Sequence, residues 1–249
     1  MRIGVWNLKQ GPNPAGVRGQ EMLALMRDCD ADIWLLTEVH TAWSLPGYSS
    51  AMSAPRSSGP LLKRWSGILA RETYHLLQVP LSGSHPADEG LCLARLQSPV
   101  DCHPEMLVAC SVLPWSNTLL GWPSLHVHCE LDSYQRRFRF VADAHTQRIQ
   151  TARQSEDVVL WGGDFNQSLS GRPMGSNAGR AVLATCLADL DVSALTADAS
   201  HLVSGACSID HVAATSGWPA SSAVTVILRS DDRRQTSDHA LYLVDITSN

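Results

Sequence analysis

The sequence predicts an α/β fold, and three observations carry that reading. The chain opens on a strand–helix–strand succession, a signature of mixed α/β packing. Two further helical stretches, near 132–153 and 178–190, stand among short apolar runs of β type. With 249 residues, 44% of them hydrophobic, the chain has enough apolar surface for a large core.

Each element has its own reason. In Arg2–Asn7 the period of two sets Ile3, Val5 and Asn7 on one face of a strand. Gly11-Pro12-Asn13-Pro14 is a loop. Residues 18–28 read as a helix with Met22, Leu25 and Met26 on an apolar stripe. Residues 32–36 form a strand apolar on both faces, ending at Thr37-Glu38. The Ser/Pro/Gly-rich stretch 44–64 reads as an exposed loop, and 67–70, 91–95 and 106–112 as successive strands. Residues 114–131 are irregular. Asp132 followed by Gln135 resembles a capping box that opens a helix to about Arg153, with Phe138, Ala142, His145 and Ile149 near one face. A strand at 158–161, a helix at 178–190 and strands at 208–213, 223–228 and 240–246 complete the chain. With no repeat, low-complexity tract or long linker, residues 1–249 are expected to form one domain.

A net charge of −5 gives no strong overall field for holding nucleic acid, yet leaves room for a local basic patch. Cysteines 29, 92, 102, 110, 129, 186 and 207 form no C-x-x-C pair and are odd in number, which suits buried thiols in a reducing compartment. MRIGVWNLKQ has no signal-peptide apolar core, and no run reaches transmembrane length, so a soluble cytoplasmic protein is expected.

Several apolar strands end in, or adjoin, an acid, amide or imidazole: Asn7 after IGVW, Glu38 after DIWLLT, Asp164 and Asn166 after VVLWGG, Asp210 within SIDHV, and Asp238-His239 before ALYLVDI. Polar groups at neighbouring strand ends build sites in α/β folds. The chemistry suggested is oxygen-ligand metal catalysis on a phosphate ester. Glu38 with Asn7 or Asp238 would hold Mg²⁺, with Mn²⁺ as a possible substitute. Asp164 would orient or deprotonate water, Asn166 and His239 would donate hydrogen bonds to phosphate oxygens, and Asp210 would hold an imidazole. His126 and His128 alternate as on a strand face but lack a nearby third ligand, so a solvated strand is the favoured reading. Arg136, Arg137 and Arg139 read as a solvated helix face, and Trp34 and Trp161 as core. Trp43, Trp115 and Trp122 suit either stacking on a ligand or loop packing.

These residues resemble the endonuclease/exonuclease/phosphatase superfamily, in its order and across the whole chain. The matching pieces are VWNL, ADIWLLTEV, SGILAR, WGGDFN, SIDHV and TSDHALYLV. The resemblance implies a deoxyribonuclease-like four-layer sandwich of two mixed β-sheets flanked by helices. It implies Glu38 as principal metal ligand, with Asn7 and Asp238 at the metal site. Asp164 would activate water, Asn166 would bind phosphate, and His239, supported by Asp210, would contact the scissile phosphate.

Two departures matter. Val112 stands where many members carry a His or Tyr that touches phosphate, and Lys9 stands where repair-type members carry an Asp. Trp115, Asn117 and Tyr134 are candidates for a replacement contact. The expected activity is a Mg²⁺-dependent phosphodiesterase or nuclease on DNA or RNA. The alternatives are a phosphatase or phospholipase on a small or lipid phosphoester, and a non-catalytic binding protein on the same fold.

Overall fold

The computed structural model describes residues 1–81, 85–98, 105–116, 122–127, 133–218, 221–227 and 236–247. Two six-stranded mixed sheets lie face to face. The first contains β1 (Arg2–Asn7), β2 (Ile33–His40), β3 (Tyr48–Met52), β4 (Lys63–Arg71), β11 (Ser221–Ile227) and β12 (Leu241–Thr247), in the order β11-β12-β1-β2-β4-β3. The second contains β5 (His75–Gln78), β6 (Leu91–Gln97), β7 (Met106–Val112), β8 (Val158–Asp164), β9 (Val192–Ala194) and β10 (Asp210–Thr215), in the order β5-β6-β7-β8-β10-β9. Three α-helices among the described residues flank them: α1 (Val17–Cys29), α2 (Tyr134–Ala152) and α3 (Asn177–Asp189).

Alternation along the strands builds the four layers. Ile33 and Leu35 of β2 join Ile3, Val5, Val108 and Leu160 between the sheets. Trp34 and Leu36, one residue out of phase, pack with Met22 and Met26 of α1 on the outer side. On the far side, Trp161 of β8 packs with Phe138 and Ile149 of α2 and Leu183 of α3. Phe138, Ala142, His145 and Ile149 are all fully buried, as their spacing predicts. On α1 the inner stripe includes Leu23, while Leu25 is only half-buried.

Several expectations need correction. The stretch 44–64 contains β3, and β4 starts at Lys63 instead of Gly67. Strands β5 and β9 were not expected. Ser133 caps α2, its Oγ accepting from the Arg136 N–H at 3.3 Å, while Asp132 lies outside the described residues. Pro123–Val127 is a 3₁₀ turn, so His126 does not lie on the strand expected there, and His128 lies outside the described residues. Arg137 is buried, which overturns the solvated reading for that residue, while Arg136 and Arg139 are exposed.

The topology gathers the polar strand ends at one place. β1 runs parallel to β2, and β7 runs parallel to β8, so Asn7, Glu38 and Asp164 sit toward C-terminal strand ends. β10 is antiparallel to β8 and begins at Asp210, directly opposite Asp164. The Gly162-Gly163 pair lets β8 reach that point. Gly163 has φ +123°, and a Cβ there would lie 2.2 Å from the Ser111 carbonyl oxygen.

Candidate active site

The site is stitched across the two sheets. Asn7, at the end of β1, is 1% exposed and its Nδ2 donates to Asp164 Oδ2 at 2.9 Å. The same nitrogen lies 3.4 Å from Glu38 Oε1. The Lys9 N–H donates to Asn7 Oδ1, which fixes the amide's orientation. Glu38 Oε2 accepts from the Gln10 N–H. Asp164 Oδ1 accepts from the Asn166 N–H at 3.0 Å, and Asn166 Nδ2 donates to the Leu113 carbonyl at 2.9 Å. Glu38 and Asn166 both hold φ 52°, a left-handed backbone that Asn tolerates and Glu rarely adopts.

A second bond crosses between the sheets. His239 Nδ1 meets Asp210 Oδ2 at 2.7 Å, with the Asp210 side chain fully buried. This leaves Nε2 as the imidazole nitrogen available to a ligand. Burial opposes a charge on His239, but Asp210, then Asp164 and Asp238, outweigh it and raise its pKa to about 10. Burial, followed by the negative charge of Asp210, raises Asp164 to about 7. Asp238 behaves in the opposite sense. Its burial pushes the pKa up, but the hydrogen bond from Lys9 and the charge of His239 leave it below the ordinary value. Lys9 Nζ and Asp238 Oδ2 are 3.0 Å apart and both side chains are about half exposed.

The donors suit a hard divalent cation. Ligand atoms of Asp164, Asp210 and His239 all lie within 4.8 Å of one another, with the Glu38 carboxylate reached through Asn7. Buried Asp210 Oδ1 has no hydrogen-bond partner among the described residues. Several carboxylates drawn together, one with its proton held toward neutrality, are what a nearby cation would relieve.

The remaining candidates separate clearly. Val112 is 1% exposed, faces Asp164 across the β7–β8 ladder, and offers no polar atom. Gln167 Nε2 donates to the Tyr134 hydroxyl, whose pKa burial raises to about 12. Trp115 meets Trp65 edge-on at 5.5 Å. Trp122 is buried and stacks on Trp65, and Trp43 is buried with its Nε1–H donating to the Pro12 carbonyl, so these two serve packing. Trp34 and Trp161 are core. Asn117 lies outside the described residues. Sequence reasoning passed over Arg56, whose guanidinium carbon sits 3.6 Å from the Trp65 ring centre. A lone Arg in a Ser-rich stretch carries no periodic signal.

Known proteins share the fold. A sequence profile of the Endonuclease/Exonuclease/phosphatase family matches residues 4–239. No curated protein matches the chain in sequence. Among solved structures, an AP endonuclease from Archaeoglobus fulgidus superposes with TM-score 0.69 at 12% identity, covering 99% of both chains. The endonuclease domain of TRAS1, a telomere-specific non-LTR retrotransposon, gives 0.64 at 14%, covering 99% of this chain and 97% of that one. D. rerio TDP2 complexed with single strand DNA product gives 0.63 at 13%, covering 100% and 99%. No helix among the described residues is long and apolar enough to cross a membrane.

Proposed function

We propose that this chain, which belongs to the endonuclease/exonuclease/phosphatase family of phosphoester hydrolases, is a Mg²⁺-dependent phosphodiesterase acting on DNA or RNA. The observation that carries the reading is the Asn7–Asp164 bond between the sheets, which sets a buried carboxylate of raised pKa beside Glu38 and the Asp210–His239 pair. Glu38 and Asn7 would hold the cation, and Asp238 would join them only by releasing Lys9. When bound, the cation supplies charge neutralisation at the phosphoryl group and steadies the leaving oxygen.

The chain's own residues account for the rest. Asp164, poised near neutrality, accepts a proton from the attacking water as that oxygen bonds to phosphorus and the bond to the leaving oxygen breaks. Asn166 spends one amide N–H on Leu113 and keeps the other for an equatorial oxygen. His239 stays an imidazolium and offers Nε2–H to the scissile phosphate. The left-handed Glu38 is strain of the kind that functional sites retain.

The acidic net charge favours a second reading, a phosphatase or phospholipase on a small or lipid phosphoester. Five free cysteines among the described residues, four of them buried, agree with a reducing, cytoplasmic setting. The test is turnover of bis-p-nitrophenyl phosphate, p-nitrophenyl phosphate and supercoiled plasmid with Mg²⁺, Mn²⁺ or EDTA. Metal-dependent cleavage lost in Asp164→Asn supports the reading, and the preferred substrate separates diesterase, phosphatase and nuclease. Absence of both turnover and metal binding by calorimetry would favour the binding-protein alternative.

A further inference from the structure

Arg56 lies in the connection between β3 and β4, held in place on several sides. Pro55 bridges Arg64, the Arg56 N–H donates to the Lys63 carbonyl, and the Ser57 N–H donates to Glu89 Oε2. Its guanidinium lies over Trp65 and one terminal nitrogen donates to the Arg64 carbonyl at 3.0 Å. The Nε–H is buried with no partner, and Arg56 forms no ion pair among the described residues. The Nε–H is sealed from solvent and one terminal N–H is spent on Arg64, so it is the remaining terminal N–H groups that can meet an anion brought by something else.

The position of Trp65 gives that anion its place. The β2–β4 ladder pairs Thr37 with Ser66 and Val39 with Arg64, which brackets Glu38 opposite Trp65. Neighbouring strands lie about 5 Å apart, so the ring carrying Arg56 is the cross-strand neighbour of the proposed metal ligand. Trp65 also shares an apolar cluster with Val112 and Leu113. Trp65 stacks on Trp122, and Gly90 packs against both that ring and the Val112 carbonyl, so the guanidinium stands on the Val112 side of the site, where the Val112 side chain offers no polar atom.

We propose that Arg56, cradled on Trp65, binds a phosphoryl oxygen of the substrate and supplies the contact that Val112 cannot make. The proposal rests on the phosphoesterase reading and adds a specificity-determining residue to it. Burial lowers the Arg56 pKa to about 10, against the charges of Glu38 and Glu89, so the group remains a cation at neutral pH. A bidentate, planar donor on a rigid aromatic floor suits a phosphate, and Lys would not reproduce it.

The test uses the full chain with Mn²⁺, and inorganic phosphate and bis-p-nitrophenyl phosphate as probes. Arg56→Met keeps the aliphatic packing on Trp65 and removes the donors; Arg56→Lys keeps the charge. The expected result is phosphate binding at least tenfold weaker in Arg56→Met by calorimetry, with KM raised more than kcat is lowered and Mn²⁺ affinity unchanged. Arg56→Lys should recover part of the loss. Phosphate affinity and KM equal to wild type in Arg56→Met would overturn the proposal even if the enzyme is active, as would a wild-type protein that binds no phosphate. Absence of both turnover and Mn²⁺ binding in the wild-type protein would overturn the phosphoesterase reading instead, so the two failures are told apart.

Discussion

Two aspartates of this site, Asp164 and Asp238, differ in their surroundings more than in their distance along the chain. Asp164 is enclosed, faces Asp210 across a ladder, and is pushed toward protonation at about 7. Asp238 stands half-exposed on the rim, paired to Lys9, and is pushed toward ionisation. Each responds to its neighbours: a like charge and dry surroundings favour a proton, and an ammonium removes it. The same side chain is thereby drawn toward its neutral form in the pocket and held as a fixed charge at the rim.

The comparison breaks most sharply at Asp164. Asp164→Asn should lower kcat/KM by about 10³-fold, the scale of a lost general base, while the melting temperature holds or rises because a buried charge is gone. Steady-state kinetics and calorimetry on one preparation check both halves. Next comes Asp210→Asn, which should cost about 10²-fold and move the alkaline limb of the rate profile to lower pH, because the charge and hydrogen bond that favour the imidazolium are gone. A limb that stays in place would mean that Asp210 does not hold the imidazolium.

Stability against pH sharpens the contrast. Asp164 and His239 both have folded pKa values above their unfolded ones, so each binds protons more tightly when folded. Their contributions are full at low pH and are lost as pH rises, between about 4 and 7 for Asp164 and between about 6.5 and 10 for His239. Urea denaturation in EDTA across that range should show stability falling with pH, and Asp210→Asn should flatten the upper part. The smallest effect belongs to the rim. Lys9→Ala removes an exposed ion pair and should cost about 0.5 kcal/mol, shrinking further in high salt.

Legibility in the sequence followed burial. The buried strands β1, β2, β7 and β8 announce themselves as apolar runs, and α2 by its 3.6 period. The strands that escaped, β3, β5 and β9, all lie at sheet edges, where short length and one-sided burial leave little pattern. Strand β11, also an edge, kept enough alternating apolar residues to be read. Asp164, Asn166, Asp210 and His239 were legible because each adjoins a strand end, and the structure brings them together. The pairing of Lys9 with Asp238 was not, because it joins residues remote in sequence through a tertiary turn. Arg56 became visible only once β4 placed Trp65 beneath it.

The seat of β12 between β11 and β1 has a consequence for biosynthesis. Arg2 and Asp245, joined across that ladder, are 243 positions apart. At roughly 5–20 residues per second a ribosome needs on the order of 10–50 s to make that span. Through that interval β1 waits with an open edge, a template for wrong partners on a nascent chain. His239 directly precedes β12, so the Asp210–His239 pair can form only as that open edge of β1 is about to be closed.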